Sequence, residues 1–84
     1  MSEQTENLGR VYDKIAELVL DFCRAPQHQE FHMADLVKWV RYELPDIAPD
    51  SPSRILRALR QEGRVLYHVV NRAQSLYRVQ AVAS

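Results

Sequence analysis

The apolar residues of this chain change period at Gly63. Before it they recur every three to four positions, as on one face of a helix; after it they alternate, as along a half-buried strand. That switch predicts helices first and a hairpin last, which places the chain in the α+β class. In the first part, Val11, Ile15, Leu18, Val19 and Phe22 make one stripe, with Asp13, Lys14, Glu17, Asp21 and Arg24 around it. Pro26 ends this first helix, because proline has no N–H to continue the ladder. Residues 1–8 are polar and read as a flexible lead-in to a single domain at 9–82.

Phe31 and His32 read as a minimal extended piece, and a second helix follows at about 33–43. Leu36, Val37 and Val40 supply its buried side, Trp39 is partly buried, and Asp35 near the start suits the helix dipole. The connector LPDIAPDSP (44–52) holds three prolines and cannot be helical throughout; Ile47 is the residue expected to pin it to the core. Ser51-Pro52 is a helix-start signal, a capping serine before a proline, with Asp50 as the rival cap. A third helix spans about 52–62, and Gly63 suits the left-handed position after it. RVLYHVV (64–70) then reads as a strand, NRAQ (71–74) as a turn and SLYRVQAV (75–82) as the returning strand, with Tyr67 facing Tyr77.

Length and composition limit what such a domain does. A chain of 84 residues buries only about 60% of its unfolded surface, so it has little room for a deep substrate pocket. The polar start lacks the apolar core of a signal peptide, and no apolar run approaches ~18 residues; a cytoplasmic protein with no membrane partner is expected. Net charge is zero, but it is unevenly spread. Residues 1–50 hold ten acids against five bases, a net −5; residues 51–84 hold six arginines against Glu62 alone, a net +5. A neutral chain of this kind still presents a positive face.

The residues at the third helix and beyond carry a resemblance. They are Ser51 and Ser53 at the helix start, RILRALRQEG (54–63), and RVLYHVV-NRAQ-SLYRV (64–79) as a wing. Over residues 9–82 the chain resembles the winged helix-turn-helix family, and is similar to small domains of phage and bacterial regulators and to those appended to some restriction endonucleases. The resemblance implies a small three-helix domain with a C-terminal β-hairpin wing. It implies a third helix in the major groove of double-stranded DNA, a wing on the backbone or minor groove, and a role in transcriptional regulation or another DNA transaction. Some members of the family bind proteins instead, so fold alone does not fix function.

On a helical wheel, Ile55, Leu56 and Leu59 gather on the core side of the third helix, with Ser53, Arg54, Arg57 and Gln61 opposite and Arg60 on a flank. Arginine pairs in bidentate fashion with guanine and glutamine with adenine, so Arg54, Arg57 and Gln61 are the candidate base readers. Ser53, Arg60, Arg64 and Arg72 are the candidate phosphate contacts, Arg72 at the hairpin turn being placed for phosphate or for a minor groove, and Arg78 near the wing base would extend the footprint. Arginine is also a good helix former that is commonly just solvated. Against that bland reading, this face excludes acids, whereas both other helices mix signs.

Other chemistry finds little support. His28, His32 and His68 share no metal-ligand spacing, Cys23 reads as a buried small residue, and Gly9 and Gly63 make no phosphate loop; no metal, cofactor or catalysis is expected. The main rival to DNA binding is a protein-interaction module, an adaptor or inhibitor of a nucleic-acid machine, using the acidic first half with Glu17, Asp21, Glu30, Asp35 and Glu43. Trp39 and Tyr42 would join such a partner surface if they are not core. A third reading is an accessory domain of a nuclease or replication protein. A homodimer through the first helix or the tail after Val79 would call for two DNA half-sites.

Overall fold

The computed structural model describes the backbone of residues 3–83 and the side chains of residues 12–83. Met1 and Ser2, at the head of the expected lead-in, and the side chain of Val11 lie outside the described residues. Helix α1 (Glu3–Arg24) is followed by a 3-10 turn (Pro26–His28), strand β1 (Glu30–His32), helix α2 (Met33–Glu43), helix α3 (Ser51–Gln61) and strands β2 (Val65–Asn71) and β3 (Leu76–Val82). The helical backbone of α1 thus begins at Glu3, within the expected lead-in; Glu3, Gln4 and Glu6 are good helix formers, and a sparse apolar pattern there does not itself end a helix. The three strands form one antiparallel sheet in the order β1-β3-β2. The result is an α+β domain of three helices and a three-stranded antiparallel sheet.

The helices pack because each turns one apolar stripe inward. In α1 the buried set is Ile15, Ala16, Val19, Leu20, Phe22 and Cys23. This face is rotated from the expected stripe: Ala16, Leu20 and Cys23 are inside, while Leu18 is only half-buried because it borders the gap toward α2. α2 contributes Leu36 and Val40; α3 contributes Pro52, Ile55, Leu56 and Leu59. Phe31, Val65 and Tyr67 close the core from the sheet. Each such large side chain contributes on the order of 1.5–3 kcal/mol on burial. Leu44 and Ile47 pack against the same core and hold the proline-rich connector down.

The ends of α3 set how the chain enters the helix and how it leaves for the hairpin. Its N-terminal flanking residue is Asp50, with no side-chain capping bond; Ser51 is already helical. Ser53 instead turns its hydroxyl back to donate to the Asp50 carbonyl at 2.9 Å. At the other end Gly63 has φ +76, its N–H donates to the Arg60 carbonyl (3.0 Å), and the Arg64 N–H donates to that of Leu59 (2.9 Å). This pair of bonds satisfies two terminal carbonyls and reverses the chain directly into β2.

The hairpin turn falls at Arg72–Ser75, one residue later than expected. Asn71 closes β2 and accepts the Gln74 N–H on its side-chain oxygen (3.1 Å), and Ser75 takes the left-handed φ of 51 that no glycine supplies. The turn does not stand free. The Met33 N–H at the start of α2 donates to the Ser75 carbonyl (2.9 Å), and the His32 ring lies 3.0 Å from the Gln74 carbonyl. Bulges in the β2–β3 register, between Leu66 and Tyr67 and between Val69 and Asn71, add twist to the ribbon. Tyr67 and Tyr77 meet edge to face at 5.7 Å between centroids. Among the described residues, no helix is long and apolar enough to cross a membrane.

Candidate nucleic-acid interface

α3 and the hairpin stand beside each other with a cavity of 280 Å³ between them. Ser53, Arg57 and Arg60, spaced i, i+4 and i+7, line it from the helix; Tyr67 and Val69 line it from β2, Tyr77 from β3, Arg72 from the turn and Met33 from the start of α2. The spacing explains the convergence: three helical residues at that interval share one face, and residues 67 and 69 share one face of a strand. Three arginines therefore surround one hollow, and its lining holds no carboxylate. Such an arrangement favours an anion.

The arginines differ in how they are held. The Arg60 guanidinium lies over the Tyr67 ring, 5.0 Å from its centroid. The ring is itself buried and holds the guanidinium beside the hairpin, while Arg60 stays exposed. Arg57 and Arg72 are exposed, and among the described residues neither forms an ion pair. The remaining sequence candidates are placed elsewhere. Arg54 reaches back to Asp50 at 2.7 Å, an exposed pair outside the cavity. Gln61 is exposed on the outer side of α3, and Arg64 stands 4.0 Å from Glu62. Arg78, next to Tyr77 but pointing to the opposite sheet face, is occupied by a forked contact with Glu30. It does not extend the positive surface.

Sequence reasoning missed Met33, Tyr67, Val69 and Tyr77 as parts of this site. The register sets the two tyrosines diagonally rather than opposite, with Tyr67 across from Val79 and Tyr77 across from Val69, and only the packing of α3 on β2 makes their face a wall. Among the described residues, two groups elsewhere are shifted from their ordinary values. Burial pushes the Cys23 thiol up to about 11, which suits an inert core residue. Burial, then the nearby Glu62 carboxylate, raises Tyr12, whose hydroxyl donates to Glu62 at 3.3 Å. Among the described residues, no three metal-ligating side chains cluster. No family model, curated protein or solved structure matches this chain.

Proposed function

We propose that the chain is a winged helix-turn-helix protein that binds double-stranded DNA without catalysis, in transcriptional regulation or another phage or bacterial DNA transaction. The observation that carries the reading is the acid-free cavity shared by Arg57, Arg60 and Arg72. The order of helices and the three-stranded antiparallel sheet are compatible with that fold. In this reading α3 enters the major groove and a backbone phosphate seats between α3 and the hairpin. Arg60 and Arg72 grip it from opposite walls. Arg57, on the edge shared by the cavity and the outer helix face, reaches a base together with Arg54 and Gln61. Arg64 adds a phosphate contact at the strand entrance. Ser53 joins in by turning its hydroxyl from the Asp50 carbonyl to a phosphate oxygen.

The test is selection of duplexes from a random pool, followed by affinity measurements on the best duplex across salt concentrations. The expected outcome is enrichment of one sequence, with affinity falling steeply as salt rises, by about 0.9 in logarithmic slope for each phosphate neutralised. Failure of every duplex to bind at low salt would remove the reading.

A further inference from the structure

A second groove, larger than the first, lies between α1 and α2, with a volume of 810 Å³. Its floor is aromatic and rigidly built. The His28 ring stacks on Phe22, with centroids 3.8 Å apart and planes within 9°, and its Nδ1 lies 3.0 Å from the Phe22 carbonyl. Trp39 stands edge-on to both rings, at 5.6 and 5.4 Å, and donates its indole N–H to the Leu18 carbonyl of α1 at 3.1 Å. The indole is thus locked to the neighbouring helix, yet 39% of Trp39 remains exposed, and Tyr42 one turn further is 86% exposed. Single exposed apolar residues are ordinary; an indole pinned in place beside a bare tyrosine, above an apolar groove of this size, is the form of a binding hot spot.

Charge states what would cover it. Asp35, Lys38, Trp39 and Tyr42 fall at i, i+3, i+4 and i+7 on α2, one stripe, with Glu43 beside it. Three acids line the groove, Glu30, Asp35 and Glu43, against Lys38 alone. Glu30 carries Arg78, but among the described residues Asp35 and Glu43 form no ion pair. Phosphate would be repelled here. Lysine or arginine would be attracted twice, by the carboxylates and by the faces of Trp39 and Tyr42.

We propose that this groove docks a segment of a partner protein that carries an apolar or aromatic anchor flanked by lysine or arginine. The anchor fills the space over Leu18, Phe31 and Trp39, and the flanking cations meet Asp35, Glu43 and the Tyr42 ring. The site is independent of the DNA reading, because it shares no lining residue with the arginine cavity.

The experiment is selection of displayed random 12-residue peptides on the full chain, then titration of the enriched peptides as synthetic probes. Trp39 is the sole tryptophan, so its emission reports the groove directly. The expected peptides pair an aromatic or leucine anchor with basic flanks, shift the Trp39 emission, and bind equally with and without saturating duplex DNA. Tyr42→Ala, at an exposed ring, leaves the fold intact and weakens them about tenfold; Asp35→Lys with Glu43→Lys does the same or more. No enrichment, or acidic consensus peptides, would overturn the proposal. So would binding that survives Tyr42→Ala while yielding to charge reversal, since that pattern is charge attraction without a groove. Self-association that is lost with Tyr42→Ala would replace the partner by a second copy, and overturns it equally.

Discussion

Two of the cavities in this domain are opposites in charge. The groove between α1 and α2 is walled by side chains that also hold the fold together: Phe22 is in the core, and Trp39 is bonded to α1. The cavity between α3 and the hairpin also rests on the core, through buried Tyr67, but three arginines and no carboxylate surround it. The first is an apolar surface rimmed by acids and left partly uncovered. The second gathers positive charge, so the two surfaces suit ligands of opposite charge.

The largest expected effect breaks the first side of the contrast. Phe22 is almost wholly buried, stacks on His28, and meets Phe31 and Trp39 edge to face. Phe22→Ala should destabilise the protein by about 3–5 kcal/mol in denaturant unfolding. A loss below 1 kcal/mol would show that the aromatic floor is not structural.

Arg57→Ala addresses the other side. It should lower affinity for the selected duplex by about 1–3 kcal/mol while leaving stability nearly unchanged, since Arg57 is exposed and among the described residues forms no ion pair. Measured together by duplex titration and thermal melting, the two numbers separate a binding residue from a structural one. Arg72→Ala should weaken all duplexes alike and flatten the salt dependence, because a phosphate contact carries no sequence information.

Gly63 joins the walls of the arginine cavity, since it ends α3 and aims β2. A side chain there would meet nothing within 4 Å, so the cost of Gly63→Ala is conformational alone, from φ +76. About 1–2 kcal/mol of stability should be lost, with duplex affinity kept at temperatures where the variant is folded.

Much of this organisation is legible in the sequence. Proline and glycine punctuation placed α2 and α3, and the change of period at Gly63 placed the hairpin; these signals are local, because they act through single residues' backbone preferences. The turn was read one residue early because Asn71 and Ser75 supply by hydrogen bonding and a left-handed backbone what glycine usually supplies. In the site, the i, i+4, i+7 spacing of Ser53, Arg57 and Arg60 was readable. Their convergence with Arg72 was not, because it depends on where the hairpin lies against α3. The same holds for Leu18 and Trp39: their apolar character predicts burial, and only the spacing of α1 from α2 leaves them lining a groove.

The smallest effect tests whether the positive face is complete as it stands. Asp50 holds Arg54 at 2.7 Å, but the pair is exposed, and Asp50 makes no capping bond to α3. Exposed ion pairs contribute about 0–1 kcal/mol, so Asp50→Asn should change stability little, and asparagine is as good a residue at a helix start. It also removes a negative charge beside the proposed DNA surface and releases Arg54. Duplex affinity should therefore rise about two- to fivefold at low salt, with the gain fading as salt screens it. The same substitution should leave the basic peptides of the α1–α2 groove unaffected, because Asp50 does not line it. A rise in duplex affinity confined to one surface would mean that the two cavities act separately. A matching change in peptide binding would mean that overall charge, rather than local geometry, governs both.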